Sequence, residues 1–181
     1  MGLIPIHSRQ LMFIILINAF CFLGYSQSEV SYSIAEIPWE AGLGNHRAIF
    51  EVPKKAEAVK LKFNWRRHDE SIEKRRFIIV NAKTGDTIEN IHRLEVNNEK
   101  CDLVFGPAEK GDYYFYYLPF KPDLEWGYYR YGYLDQEKSP DPQWVADNRL
   151  GNERILRRLP KATCLELQAR TEFDSFYPME V

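Results

Sequence analysis

Three acidic side chains, Asp69, Glu70 and Glu73, form the densest group of residues in this sequence that could carry out acid–base chemistry. Two carboxyl groups on either side of a glycosidic bond can hydrolyse it, provided that one of them stays protonated. The same segment is strongly basic, with Arg66, Arg67, Lys74, Arg75 and Arg76. Because neighbouring cations keep carboxylates ionised, a solvated, charged loop is the favoured interpretation. An enzyme acting through Asp69 or Glu70 is the alternative.

The remaining chemistry-bearing residues lack the spacing of a known site. Gly42–Arg47 is rich in glycine, but it precedes a predicted strand and cannot form the phosphate-binding start of a helix. The histidines beyond the N-terminal segment, His46, His68 and His92, are scattered, and so are the two cysteines. We therefore predict no metal, no cofactor and no catalytic residue in this chain.

Cys101 and Cys164 are the cysteines outside the N-terminal segment. In an exported protein they could form one disulfide bond. Cys101 also lies on a predicted strand, where it could serve as a small buried hydrophobic residue. Because the sequence gives no distance between the two residues, both interpretations stay open.

Aromatic and arginine side chains that could contact a glycan or another domain occur in two places. In the first, Trp65 is followed by Arg66 and Arg67, and a ring beside planar guanidinium groups suits sugar hydroxyls or a docking domain. Burial of Trp65 in the core is the alternative, which the alternation of its strand favours. The second place is an aromatic segment that contains Trp126, Tyr128, Tyr129 and Tyr131.

Most of the candidate residues lie in or next to short segments with the pattern of β-strands. Turns rich in Gly, Pro and Asn separate these segments. The segments are 30–35, 46–52, 59–65, 77–80, 87–96, 101–105 and 113–118. The clearest is 59–65, where Val59, Leu61 and Phe63 alternate with polar residues. Because no helical pattern interrupts the series, we predict a mostly β fold, an antiparallel β-sandwich.

Five consecutive aromatic residues, 113–117, mark a central strand of this sandwich. Side chains alternate along a strand, so Tyr113, Phe115 and Tyr117 share one face while Tyr114 and Tyr116 share the other. We expect the first set to lie in the core. The second set is expected to pack against the aromatic segment 126–133, which we interpret as an ordered surface loop because so many exposed rings would reduce solubility.

Short helices and a last strand are expected after this loop. Asp141 followed by Pro142 is typical of the N-cap and first turn of a helix. Asn152 is expected to cap a second short helix, which Pro160 ends. A final strand is predicted over 162–169.

The N-terminal segment 1–26 has the features of a signal peptide. Its one charge is Arg9, and its apolar run from Leu11 to Leu23 is too short to span a bilayer comfortably. We predict an exported protein whose mature part, 27–181, is a single β-sandwich domain without stable membrane insertion; an uncleaved anchor is the alternative. Removing the segment changes the formal net charge from −2 to −3, which gives no field that would attract nucleic acid.

Several blocks of the mature chain occur together in one order. They are Gly42–Ala48 (GLGNHRA), Trp65–Asp69 (WRRHD), Glu73–Lys74, Ile78–Gly85 (IIVNAKTG), Leu103–Pro107 (LVFGP), Gly111–Pro119 (GDYYFYYLP) and Gln168–Glu180 (QARTEFDSFYPME). This set resembles the N-terminal domain of large exported proteins related to glycoside hydrolase family 123.

The resemblance implies a β-sandwich that precedes a (β/α) barrel in one polypeptide. Retaining enzymes of that family cleave terminal β-linked N-acetylgalactosamine by a substrate-assisted route, and their catalytic Asp–Glu pair lies in the barrel. No position of this chain matches that pair, so the resemblance supplies no catalytic residue here. We interpret the chain as either a fragment or a free-standing domain.

These observations together predict a non-catalytic accessory domain of an exported glycoside-hydrolase-like protein. Its partner would be a barrel domain that processes N-acetylhexosaminides, or a glycan. The alternative is a self-standing carbohydrate-binding module that uses Trp126, Tyr128, Tyr129 and Tyr131.

Overall fold

The structure is a computed structural model that describes residues 30–65, 67, 69–123, 130–136 and 138–172, with 120–123, 130 and 131 described by their backbone alone. The strands are β1 Ser31–Ile34, β2 His46–Val52, β3 Val59–Asn64, β4 Phe77–Asn81, β5 Asn90–Val96, β6 Lys100–Gly106, β7 Gly111–Tyr117, β8 Phe120–Asp123, β9 Arg130–Tyr133 and β10 Lys161–Ala169. The helices are α1 Pro142–Asp147 and α2 Glu153–Leu156, and 3₁₀ turns lie at Ala41–Leu43 and Ile72–Lys74.

Strand β10 joins the two layers of the fold. It pairs antiparallel with β2 over most of its length, while its first residues, Lys161 and Ala162, pair with β3. A register shift against β2 lies between Cys164 and Glu166, shortly after the pairing with β3 ends, and such a bulge bends a strand. The first layer is therefore β4-β7-β2-β10-β1 and the second is β3-β6-β5. This arrangement confirms the predicted mostly β, sandwich-like fold.

Two features of the sheet were not predicted. The pairings of β1 with β10 and of β10 with β3 are parallel, whereas the sequence suggested antiparallel pairing throughout. The outer edges of the layers also approach each other, since Val80 bridges Thr87 and the amide of Ile88 donates to the carbonyl of Ile79 at 2.8 Å. The sheet is consequently nearly closed, like a barrel.

The inward faces of both layers form one aromatic-rich core. Its largest fully buried side chains are Trp65, Tyr113, Tyr117, Phe50, Phe105 and Phe115. Trp65 is 1 % exposed, and its ring packs edge-on against Phe63 and Phe77. Aromatic pairs at such angles add to the stability gained by burial. The core interpretation of Trp65 is therefore the one that the structure supports.

The five-ring strand β7 lies between β4 and β2 in the first layer, which explains its composition. Tyr113, Phe115 and Tyr117 face the core, as predicted. On the opposite face, Tyr116 packs edge-on against Trp39 with 5.7 Å between ring centroids. Of the segment 126–133, against which Tyr114 and Tyr116 were predicted to pack, residues 126–129 lie outside the described part of the chain, so this contact stays a prediction.

Helices α1 and α2 cover the outer face of the second layer. Trp144 of α1 packs with Val104 of β6, and its indole Nε1 donates to the carbonyl of Glu57 at 3.0 Å. Both predicted N-caps are confirmed, because Asp141 accepts from the amide of Gln143 and Asn152 accepts from the amide of Arg154. The final strand is confirmed as β10.

The prediction of a loop over 126–133 was incomplete. Strands β8 and β9 form an antiparallel pair that joins Phe120 to Tyr133 and Pro122 to Tyr131. Proline is tolerated in β8 because a two-stranded ribbon has free edges. The residues between the two strands, 124–129, are outside the described part.

Cys101 and Cys164 are free in the structure. Cys101 is fully buried on β6 and Cys164 is half-buried on β10, so the small hydrophobic role describes Cys101. Among the described residues, no helix is long and apolar enough to cross a membrane.

Candidate functional site

The first candidate site is a buried polar group at the end of the sandwich where β10 finishes. We call it the Arg67 cluster; its members are His46, Arg67, Asp69, Tyr117 and Tyr133. The Nε of Arg67 donates to Oδ2 of Asp69 at 2.6 Å, and the Tyr133 hydroxyl donates to Oδ1 at 2.7 Å. The side chains of Arg67 and Asp69 are 10 % and 13 % exposed. The cluster thus ties the segment after β3 to strand β9.

The other two members of the Arg67 cluster come from neighbouring strands. Nη1 of Arg67 lies 3.4 Å from Nδ1 of His46, and its guanidinium carbon lies 5.6 Å from the centroid of the Tyr117 ring. His46 stacks on Tyr117 with 6.4 Å between ring centroids. His46 and Tyr117 are opposite each other in the β2–β7 register, so the sheet itself places them together.

The electrostatics of the Arg67 cluster favour an ionised Asp69. Burial alone would raise the pKa of the Asp69 carboxyl, but the hydrogen bond and charge of Arg67, together with the Tyr133 hydroxyl, lower it below its ordinary value. Burial and the hydrogen bond to Asp69 raise the pKa of Tyr133 to about 12. Both oxygens of Asp69 accept hydrogen bonds within the protein. Such a carboxylate is suited to holding the fold together and not to donating a proton.

The other acidic candidates, Glu70 and Glu73, are exposed. Asp69 and Glu70 are adjacent in the chain, yet the first lies in the Arg67 cluster and the second lies at the surface. The described residues therefore do not bring a pair of carboxyl groups together around an open cleft at this place. Solvated carboxylates of this kind match the charged-loop interpretation.

The remaining predicted contact residues fall into three groups. Trp65 is in the core, where its indole Nε1 donates to the carbonyl of Asn97 at 2.7 Å, so its ring is not available to a ligand. Arg66, Trp126, Tyr128 and Tyr129 lie outside the described residues. Tyr131 is described by its backbone in β9, opposite Pro122. Their predicted role in glycan or domain contacts stays a prediction.

A second candidate site, which the sequence did not suggest, lies on the outer face of the first layer. We call it the Arg47 cluster; its members are Trp39, Arg47, Tyr114, Tyr116 and Gln168. The guanidinium carbon of Arg47 lies 4.5 Å from the Trp39 ring centroid and 4.0 Å from that of Tyr114. Its Nε donates to Oε1 of Gln168 at 2.9 Å, and its Nη1 donates to the Tyr116 hydroxyl at 3.2 Å.

The members of the Arg47 cluster are themselves fixed by the fold. The sheet register places Arg47 between Tyr116 and Gln168. The indole of Trp39 donates to the carbonyl of Gly44 at 2.8 Å. The amide of Gln168 donates to Ser33 Oγ at 3.3 Å and to Glu166 Oε2 at 3.1 Å. The guanidinium is therefore held in one orientation on a half-buried surface.

Within the described part of the chain, no three His, Cys, Asp or Glu side chains come close enough to hold a metal ion. Each of the two clusters instead combines an arginine with aromatic side chains, an arrangement that suits hydrogen bonding and stacking.

A comparison with protein-family models matches residues 37–170 to the N-terminal domain of glycoside hydrolase 123. The chain belongs to this family. Searches of curated proteins and of solved structures found no match. The matched region runs from just before Trp39 to Arg170 and includes β2 to β10, so both arginine clusters are parts of the family domain.

The sequence contained one signal for the Arg47 cluster of this glycoside hydrolase 123 N-terminal domain. Arg47 and Ile49 alternate with the buried Ala48 and Phe50, which places Arg47 on an outer face. Its partners are far away in sequence, with Tyr116 separated by 69 positions and Gln168 by 121. Only the strand order brings them together, and the strand order could not be predicted from the sequence.

Proposed function

We propose that this chain is a non-catalytic accessory domain of an exported glycoside-hydrolase-like protein, in which it supports a (β/α) barrel that processes N-acetylhexosaminides. The observation that carries the proposal is the match to the glycoside hydrolase 123 N-terminal domain over residues 37–170. A glycoside hydrolase family with a distinct N-terminal domain implies a partner catalytic domain. The Arg67 cluster supports the non-catalytic part of the proposal, because both oxygens of Asp69 already accept hydrogen bonds within the fold.

The end of the sandwich that carries the Arg67 cluster is the proposed contact surface for that catalytic domain. β10 ends at Ala169 beside His46, which is a member of the Arg67 cluster. The amide of Arg170 still donates to the carbonyl of Asn45 at 2.8 Å, which holds the end of β10 close to β2. We propose that the catalytic domain packs next to the Arg67 cluster and the β8–β9 hairpin.

Hydrolysis by the chain alone tests the non-catalytic role. We expect no release of chromophore from a chromogenic β-linked N-acetylgalactosaminide, because the described carboxylates are engaged or solvated. Asp69→Asn and Glu70→Gln variants serve as controls for contaminating activity. Release that persists on purification, and that disappears in either variant while its amide spectrum shows that it is still folded, would contradict the proposal and support an enzyme acting through that carboxylate.

Export is the second part of the proposal, and it rests on the apolar segment 11–23 with Arg9 before it. The mass of the protein secreted from a bacterial host tests it. We expect a product that begins near Gln27. An Ile15→Arg substitution, which places a charge inside the apolar run, is expected to retain the protein unprocessed in the cytoplasm. Equal processing of both forms would contradict a signal peptide.

A further inference from the structure

We propose that the outer face of the first layer holds a binding site for a carboxylated sugar, centred on the Arg47 cluster. The site lies on the opposite face of the sheet from the core. The proposed accessory role does not depend on this sugar site. Binding at the site would not need a catalytic domain.

The guanidinium of Arg47 is preorganised for a ligand. The rings of Trp39 and Tyr114 both lie against it, while Gln168 and Tyr116 accept from Nε and Nη1. These bonds use two of the five N–H groups that a guanidinium carries. Binding to a rigid group avoids the entropic cost of ordering a flexible side chain. The three remaining N–H groups, one on Nη1 and two on Nη2, are therefore donors held in a fixed position, and we call them the free edge of Arg47.

The free edge of Arg47 has the character of a carboxylate site. Among the described residues, Arg47 forms no ion pair, and Nη2 has no hydrogen-bond partner. Glu166 is the acidic side chain nearest to Arg47 in this hydrogen-bond network, but the two do not bond directly. Gln168 lies between them, accepting from Arg47 and donating to Glu166. A half-buried guanidinium without a counter-ion is expected to prefer an anion, and its planar fork matches a carboxylate with two parallel hydrogen bonds.

The surroundings of that edge favour a sugar over a simple anion. Within the described part of the chain, the Tyr114 hydroxyl has no hydrogen-bond partner, so it can bond a sugar hydroxyl. The rings of Trp39 and Tyr114 are half-buried, which leaves apolar edges for the C–H groups of a sugar. The charged donors of Arg47, the hydroxyl of Tyr114 and the rings of Trp39 and Tyr114 together match a uronic acid residue of a glycan. Glycans are also the ligands that a member of a glycoside hydrolase family encounters.

Two matched ligands test the proposal: methyl β-glucuronide and methyl β-glucoside, which differ in the carboxylate. We would titrate each into the ¹⁵N-labelled chain and follow the Trp39 Nε1–H and Arg47 Nε–H resonances by NMR. The expected result is saturable shifts of both resonances with the glucuronide and none with the glucoside over the same concentration range. Equal shifts with both ligands, or no shift with either, would overturn the proposal.

Three variants locate the site. Arg47→Lys keeps the charge but loses the planar fork, so we expect affinity for the glucuronide to fall about tenfold or more. Tyr114→Phe keeps the ring over Arg47 and is expected to weaken binding about threefold. Lys62→Gln removes an exposed cation from the second layer and should change nothing. Unchanged binding in both Arg47→Lys and Tyr114→Phe, with folding confirmed by the amide spectrum, would refute the assignment.

Two further probes, sodium acetate and acetylglutamate amide, test whether the bound carboxylate belongs to a sugar. We expect both to bind at least several-fold more weakly than the glucuronide, because neither offers hydroxyl groups to Tyr114. Equal affinity for acetate would show a simple anion site. Equal affinity for acetylglutamate amide would indicate that the ligand is a carboxylate of a protein partner. Either result overturns the assignment to a sugar while leaving the accessory role untouched.

Discussion

Removing the charge of Asp69 should destabilise the domain strongly. In the Asp69→Asn variant, the guanidinium of Arg67 stays 10 % exposed and loses its counter-ion. Breaking a buried ion pair by removing one partner costs about 3–5 kcal/mol of folding free energy. The amide oxygen of asparagine still accepts one hydrogen bond, so we expect the lower end, about 3 kcal/mol. For a domain of this size that corresponds to a fall in Tm of about 6–12 °C.

The chain offers a matched control for this change. Nη1 of Arg75 lies 2.8 Å from Oδ1 of Asp135, a pair of similar length, but the Asp135 side chain is 79 % exposed. Exposed pairs contribute about 0–1 kcal/mol. We would measure both variants by urea unfolding, followed by tryptophan fluorescence, to which the buried Trp65 contributes. Equal loss in Asp69→Asn and Asp135→Asn, or no loss in either, would refute the view that burial of the Arg67 cluster sets its energy.

The pH dependence of the same pair has a defined sign. The pKa of Asp69 is lower in the folded protein than its ordinary value of 3.8. The stability that the ionised carboxylate contributes is therefore fully present above pH 3.8. It is lost as the pH falls through the lower, folded-state pKa. The difference in unfolding free energy between the wild type and Asp69→Asn should therefore be constant from neutral pH down to about pH 5 and shrink below about pH 4. A difference that grows on acidification would contradict this assignment.

Two other properties follow from the structure. Gly44→Ala should lower the free energy of unfolding by at least about 1 kcal/mol more than Gly85→Ala. Both glycines have a positive φ, but a Cβ at Gly44 would lie 2.8 Å from the carbonyl oxygen of Leu118, whereas nothing lies within 4 Å of a Cβ at Gly85. Equal losses in urea unfolding would contradict this prediction. Burial raises the pKa of Cys101, and it raises that of Cys164 to about 11, so a thiol reagent at pH 8 should react slowly with the native protein and quickly with both cysteines in urea. Absence of thiols after unfolding would indicate the disulfide instead.

The sequence predicted those parts of the fold that depend on local patterns. The alternation in β2 and β3 follows from a buried face and a solvent face, and the caps Asp141 and Asn152 follow from bonds made two residues away. These signals lie within a few positions of each other. The structure therefore confirmed them with small shifts of boundary.

The parts that the sequence missed depend on contacts between distant segments. The parallel pairing of β1 with β10 joins Ser31 to Glu166, and no local pattern encodes that register. Arg67 and Asp69 of the Arg67 cluster were both candidates in the sequence. Tyr133, which completes the cluster, lies in a segment that we interpreted as a surface loop. The Arg47 cluster depends entirely on the strand order.

The most direct measurement is the rate of hydrolysis of a β-linked N-acetylgalactosaminide by a glycoside hydrolase 123 barrel domain, expressed alone and joined to this domain. If the chain is an accessory domain, the barrel should be more active or more thermostable when joined, and this chain alone should release nothing. Hydrolysis by the chain alone, or a barrel that behaves identically with and without it, would contradict the account.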